Sequence, residues 1–194
     1  MGGELNARTE QVFWGEIAPP VHMAQFYNAE SVLLDHLVGF IGGGLKGGES
    51  TIVIATDEHL AALEQGLVRS GVNISDARRK DRYISLLAEA ALSTFMVNDW
   101  PDDRLFTEFV DGLIARARAS ASRVRAFGEM VAILWAQGHA GATVRLEYLW
   151  NQMCWNQVCN RQGFSLLCAY PKPGFTEDPT ESLAKICAAH QRVV

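Results

Sequence analysis

The sequence predicts an α/β fold, with a mostly parallel central sheet of about five or more strands and helices on both faces. The run STIVIAT (50–56) is apolar almost throughout, as in a strand that is buried on both faces of a parallel sheet. Other short apolar runs alternate with longer segments whose apolar residues recur at helical spacing. Because strand and helix patterns alternate along the whole chain, a parallel sheet is the expected arrangement.

The elements are predicted in chain order from these patterns and from capping residues. HMAQFY (22–27) is the first strand, Asn28 caps the helix after it, and Asp57 caps the helix after STIVIAT. Further strands are predicted at 82–87, 123–128 and 164–170. Five further helices are predicted. One ends at about Met96, one starts at Asp102 or Asp103, one follows the 123–128 strand and runs through Trp135, one starts after Gly141, and the last ends at His190. Residues 1–20 are expected to be an N-terminal tail or a docked arm, and residues 21–194 a single domain.

The glycine-rich stretch GGGLKGGES (42–50) resembles a phosphate-binding loop in its spacing. Such a loop needs a lysine where Glu49 stands, and it lies between a strand and the positive end of the following helix. Here the glycines follow a predicted helix and precede a strand, so they lie at the negative end of a helix. The stretch therefore predicts a helix end and a turn, not a nucleotide site.

Composition and charge exclude several classes of protein. The net charge is −5, and the basic run Arg78-Arg79-Lys80 has Asp76 and Asp81 beside it, so that a solvated turn is expected and nucleic acid is not a predicted partner. No apolar run reaches the roughly 18 residues that cross a bilayer, and no membrane association is expected. The polar first residues and four cysteines in 194 residues predict a cytoplasmic protein with free thiols.

Several stretches taken together resemble one known family. These are HMAQFY, FIGGGLKGGESTIVIAT, RVRAFGEMVAILWAQG, LEYLWN, FSLLCAYP and ICAAH. In this order they are similar to the MEDS domain, the sensory domain named for methanogens, methylotrophs and a dichloromethane-responsive repressor. The resemblance covers about residues 21 to 194.

The resemblance implies a RecA/KaiC-like three-layer sandwich with a degenerate P-loop, and a role in bacterial signal transduction. It also implies a small organic ligand, including simple hydrocarbon derivatives, and a histidine kinase or response regulator of a two-component system as partner. We expect no enzyme activity, no ATP hydrolysis and no cofactor, and self-association is an open possibility. No kinase core or DNA-binding helix-turn-helix is evident, so a stand-alone sensory domain is expected that signals through a separate protein or through self-association. Two alternatives stay open: an adaptor that binds only protein, and a residual nucleotide-binding RecA-like protein.

The expected ligand site follows from the fold, because ligands of open α/β sheets bind beyond the carboxyl ends of the strands. Glu129 ends the fourth strand there; its alternative role is to satisfy N–H groups at a helix start. Aromatic residues on two consecutive helices predict either core or the lining of a small apolar pocket. The candidate ligand-binding residues are Tyr27, Asn28, Arg125, Glu129, Trp135, Glu147, Trp150 and Tyr170.

A second group of residues carries metal-binding or redox side chains. Cys187 and His190 are three residues apart on the last predicted helix, a spacing that allows both to reach one metal ion. Cys168 and His22 are the candidates to complete a metal or haem site, and buried apolar packing of the cysteines is the alternative. A redox-sensing thiol would need a depressed pKa and exposure. His59, beside Asp57 and Glu58, is predicted to be an exposed residue of a first helical turn.

Overall fold

The computed structural model describes residues 22–159, 163–171, 190 and 192–193. Its strands are β1 (His22–Tyr27), β2 (Ser50–Ala55), β3 (Tyr83–Leu87), β4 (Met96–Val97), β5 (Trp100–Pro101), β6 (Val124–Gly128), β7 (Phe164–Pro171) and β8 (Arg192–Val193). Within this part of the chain six strands form one sheet in the order β3-β2-β6-β7-β1-β8. Every neighbouring pair in that sheet is parallel. The predicted α/β class is confirmed.

The helices are α1 (Glu30–Lys46), α2 (Asp57–Arg69), α3 (Ile74–Arg79), α4 (Ala88–Phe95), α5 (Asp103–Arg118), α6 (Met130–Ala136) and α7 (Ala140–Cys159). They cover the two faces of the sheet in two groups. Helices α1, α2 and α3 share one hydrophobic core with one face, while α4, α5, α6 and α7 share a larger core with the other. The molecule is thus a three-layer sandwich, as predicted.

The glycine-rich stretch ends a helix, as its position in the sequence predicts. Helix α1 continues through the glycines to Lys46, and the N–H of Gly47 donates to the carbonyl of Gly43. Gly48 then has φ +83°, a left-handed conformation that glycine adopts without strain. A Cβ at Gly44 would lie 2.9 Å from Arg125 Cδ, so a larger residue there would collide with the Arg125 side chain. These glycines therefore serve a turn and a close helix–sheet contact.

Glu49 forms a buried ion pair with Arg125. Arg125 Nε donates to Glu49 Oε2 at 2.6 Å, and Arg125 Nη2 donates to Glu49 Oε1 at 3.2 Å. Arg125 Nη1 also donates to the carbonyl of Phe40 at 3.1 Å. Both charged side chains are buried. The Glu49 carboxylate, which stands where a phosphate-binding loop needs a lysine, thus forms a two-point salt bridge with Arg125 at the amino end of the sheet.

Several local features differ from the prediction, and each has a local cause. Helix α1 is preceded by Ala29 without a side-chain cap, so Asn28 is not its cap. Thr56, not Asp57, caps α2, because its hydroxyl accepts the N–H of His59. The segment expected as a solvated turn forms the short helix α3, capped by Asn73.

Two further pieces of structure were not predicted at all. The β4–β5 hairpin and the sixth strand β8 have only two residues per strand, too few for a periodic signal. The predicted N-terminal tail and the helix predicted to end at His190 lie outside the described residues. Among the helices of the described chain, none is both long and apolar enough to span a bilayer.

The boundary between the parallel strands β2 and β6 is a topological switch point, where the following helices lie on opposite faces of the sheet. Strand β2 leads into α2 on one face of the sheet, while its neighbour β6 leads into α6 on the opposite face. A crevice at the carboxyl ends of two such strands is the usual ligand position in open α/β sheets. The fold therefore directs attention to the residues that follow Ala55 and Gly128.

Candidate functional site

A histidine and a glutamate meet at this switch point. His59 lies in the first turn of α2, and its Nδ1 is 2.8 Å from Glu129 Oε2, just after the end of β6. The N–H of Glu129 donates to the carbonyl of Ile54, which extends the ladder between the two strands and fixes the glutamate at the sheet edge. Glu129 has no side-chain capping bond to α6, so its carboxylate pairs with His59 instead of serving the helix start.

The surroundings of this pair are acidic. The hydrogen bond that His59 donates to the Glu129 carboxylate raises the pKa of His59, and the charges of Glu30 and Glu58 add to that effect against the lowering effect of burial. Burial raises the pKa of Tyr27 to about 12, with the charges of Glu129 and Glu30 acting in the same direction. We call Tyr27, Glu30, His59 and Glu129 the edge cluster. The prediction that His59 is simply exposed was wrong, because the side chain is mostly covered and paired.

The other candidate ligand residues lie elsewhere or are occupied by packing. Arg125 is engaged by Glu49 and by the Phe40 carbonyl near the amino end of β6. Trp150 is 3% exposed and packs edge-on against Phe106, with ring centroids 5.0 Å apart. Trp135 is partly buried against the same core, and Asn28 is exposed after β1.

A second cluster lies inside the larger core, on the face that carries α7. His22 from β1, Glu147 from α7, Cys168 from β7 and His190, just before β8, offer donor atoms that all lie within 4.8 Å of one another. His22 Nε2 is 3.5 Å from Glu147 Oε2, and His190 Nε2 is 3.3 Å from the same oxygen. We call these four residues the inner cluster. Each is at least 90% buried.

Hydrogen bonds and burial shift the pKa values of Glu147 and Cys168 in this cluster. The Tyr170 hydroxyl donates to Glu147 Oε1, and Cys168 Sγ lies 3.5 Å from His22 Nε2. Burial raises the pKa of Glu147 to about 8, against the lowering effect of hydrogen bonds from Tyr170 and Cys168. Burial likewise raises the pKa of the Cys168 thiol, and the charge of Glu147 adds to the rise.

The sequence prediction named three members of the inner cluster as one group and placed Glu147 and Tyr170 in another. The structure brings His22, Cys168 and His190 together, and Cys187 lies outside the described residues. No local pattern of the sequence links Glu147 of α7 to the other three residues, which lie on β1, on β7 and just before β8. Cys154 and Cys168 are buried thiols with raised pKa values, the opposite of what a redox-sensing cysteine requires.

Comparison with known proteins adds one finding to this geometry. A family model for the MEDS domain, the methanogen/methylotroph, DcmR sensory domain, matches residues 21–191. No individual curated protein matches the chain. The matched residues include β1 to β7, both members of the His59–Glu129 pair and all four members of the inner cluster. The chain therefore belongs to the MEDS family of sensory domains.

Proposed function

We propose that this sensory domain binds a small neutral or cationic organic molecule at the carboxyl edge of β1, β2 and β6. The observation that carries the proposal is the His59–Glu129 contact of 2.8 Å at the switch point between β2 and β6. Open α/β sheets bind ligands at such points. A carboxylate and an imidazole offer one acceptor and one exchangeable proton to a hydroxyl or an amine. The family description, with its methanogens and methylotrophs, supports one-carbon and similarly simple compounds as the ligand class.

The sign of the local charge supports this choice of ligand. Three carboxylates, those of Glu30, Glu58 and Glu129, act together on His59. A triphosphate would meet their repulsion here, whereas an ammonium group would be attracted. We therefore also propose that the domain neither binds nor hydrolyses ATP and that its role is not enzymatic.

The two helices that start at this edge suggest how binding is passed on. Helix α1 begins at Glu30 and α2 at Asp57, and the two pack on each other so closely that a Cβ at Gly66 would lie 2.5 Å from Val38 Cγ2. A ligand that binds one arrangement of α1 and α2 better than another shifts the population toward it. We propose that a histidine kinase, a response regulator or a second copy of the chain recognises that arrangement.

One observation favours the adaptor as a second candidate function. Helix α7 exposes Trp155 and Tyr148, which are 63% and 49% accessible. Large exposed aromatic side chains are enriched where proteins meet partners. Under the adaptor hypothesis, binding of a partner would depend on Trp155 and would not respond to any small molecule.

The proposed ligand site is tested with three one-carbon compounds and with Mg-ATP. Methylammonium and methanol are expected to raise the thermal unfolding midpoint in a saturable way, and formate and Mg-ATP are not, because of the acidic edge. In the Glu129→Gln variant, the affinity for methylammonium should fall at least about tenfold, a typical loss for a charged contact of about 1.4 kcal/mol. Isothermal titration calorimetry measures the affinities.

The matched control is Glu108→Gln, which removes an exposed carboxylate from α5 on the opposite face of the sheet and should keep the affinity. Saturable binding of Mg-ATP would contradict the proposal. The absence of any response to methylammonium and methanol, together with partner capture that depends on Trp155, would favour the adaptor.

The His59–Glu129 pair also predicts a pH dependence of stability. The pKa of His59 is raised in the folded protein above its ordinary value of 6.5. Its contribution to the free energy of unfolding is therefore fully present below about pH 6.5 and is lost as the pH rises through the higher folded-state pKa. Urea unfolding across this range should show a loss of stability with rising pH that is smaller in His59→Gln than in the wild type. The remaining loss comes from buried Glu147, whose raised pKa also makes stability fall as the pH rises toward about 8. His139→Gln, in the loop between α6 and α7, should keep the full loss, and identical slopes in all three proteins would show that the pair is not formed.

A further inference from the structure

We propose that the inner cluster of His22, Glu147, Cys168 and His190 is a binding site for a four-coordinate divalent transition-metal ion, and that Zn²⁺ fits it best. The four residues supply two imidazole nitrogens, one carboxylate oxygen and one sulfur. Zinc accepts all three kinds of donor and holds four protein ligands in its structural sites.

Three of the six distances between the donor atoms match the edges of a tetrahedron around such an ion, and all six are at most 4.8 Å. Metal–ligand bonds of about 2.0–2.3 Å at tetrahedral angles place neighbouring ligand atoms about 3.3–3.6 Å apart. The distances from Glu147 Oε2 to His22 Nε2 and His190 Nε2 are 3.5 and 3.3 Å, and that from Cys168 Sγ to His22 Nε2 is 3.5 Å. The donors therefore already have the spacing of a ligand set.

A network of hydrogen bonds among neutral side chains is the alternative explanation, and Glu147 speaks against it. Its Oε2 is buried and has no hydrogen-bond partner among the described residues. Both imidazole nitrogens that face this oxygen lie beyond the usual N–H···O range of about 2.7–3.2 Å. A buried carboxylate oxygen that faces two imidazoles at 3.5 and 3.3 Å, beyond good hydrogen-bond distance, is well placed to bind a cation.

The balance of charge supports the same conclusion. A Zn²⁺ ion with the Cys168 thiolate, the Glu147 carboxylate and two neutral histidines makes a site of zero net charge. Such a site avoids the large cost of an uncompensated charge in the interior. Donor atoms that all lie within 4.8 Å of one another enclose a single ion and leave no space for a porphyrin, so the geometry argues against haem.

Tyr170 holds the carboxylate in the orientation that metal binding needs. Its hydroxyl donates to Glu147 Oε1 and so leaves Oε2 directed toward the two histidines. Outer hydrogen bonds of this kind orient metal ligands, and their loss typically weakens metal affinity about 10- to 100-fold. Tyr170 is thus a positioning residue, and a bound ion would tie the segment before β8 to β1, β7 and α7.

Cobalt and zinc titrations of the full chain test the site after dialysis against a chelator. One equivalent of Co²⁺ should bind and give the intense d–d bands of a tetrahedral site and a thiolate-to-cobalt charge-transfer band, and Zn²⁺ should displace it. The band should vanish in Cys168→Ala and persist in Cys154→Ala, which removes the neighbouring buried thiol of α7. Tyr170→Phe should keep the band but weaken zinc affinity about 10- to 100-fold.

Two outcomes would overturn the proposal. The first is wild-type protein that takes up no Co²⁺, or that binds it with an octahedral spectrum and no charge-transfer band. The second is a charge-transfer band that Cys154→Ala removes and Cys168→Ala keeps. Circular dichroism of each variant establishes that it is folded, and the wild-type spectrum decides the question even where a variant does not fold.

Discussion

Replacement of Glu49 by alanine is expected to lower the free energy of unfolding by about 3–5 kcal/mol, because it leaves the Arg125 guanidinium buried without its carboxylate. Glu49 and Arg125 are joined at two points, at 2.6 and 3.2 Å, and both side chains are buried. The loss comes mainly from the uncompensated charge, since little water reaches the arginine in the folded protein. Urea unfolding at neutral pH measures it.

A double replacement separates the loss of the pair from the exposure of a lone charge. Glu49→Leu combined with Arg125→Met removes both charges and should recover most of the stability, because apolar side chains of similar size often replace buried ion pairs without loss. Glu58→Ala, which truncates an exposed glutamate, should change stability by no more than about 0.5 kcal/mol. An effect of Glu49→Ala as small as that of the control would show that water reaches Arg125.

Replacement of Trp150 by alanine is the second large effect, with an expected loss of about 3–5 kcal/mol. Trp150 is 3% exposed, and its ring meets Phe106 at an interplanar angle of 87°. Phe106 meets Phe95 in the same edge-to-face manner, so that the indole completes a stack of three aromatic rings between α4, α5 and α7. Its removal leaves a cavity that these helices can close only by shifting toward one another.

The matched variant is Trp155→Ala, which removes the same side chain from the same helix at a position that is 63% exposed. It should cost less than about 1 kcal/mol. The comparison also decides between the two roles considered for Trp150. If Trp150 lined a ligand pocket and did not fill the core, Trp150→Ala would cost little stability, and methylammonium affinity would change instead.

The sequence allowed the elements of the fold to be predicted because their signals are local. The apolar run of β2 and the helical spacing of Leu37, Ile41 and Leu45 depend only on neighbours along the chain. Caps were less predictable, since Thr56 and Asp57 are both good capping residues and only the backbone conformation at Thr56 decides between them. Strands of two residues give no pattern at all.

The candidate sites were predicted only in part. The metal group was named as His22, Cys168, Cys187 and His190 without Glu147, and Glu129 was named without His59. Glu129 was recognised from its position at a strand end, but its partner His59 is 70 positions away along the chain. His59 was missed as a partner because its own neighbours are two acidic residues, a pattern typical of an exposed first turn. Strand order determines such pairings, and periodicity contains no information about strand order.

Strand β1 has its first residue in the inner cluster and its last in the edge cluster. His22 and Tyr27 are the two ends of this six-residue strand, about 17 Å apart at some 3.3 Å per residue. A shift of β1 along its axis would move His22 of the inner cluster and Tyr27 of the edge cluster together. Thermodynamic reciprocity then requires that any change in cation affinity caused by the organic molecule be matched by an equal change in the affinity for that molecule.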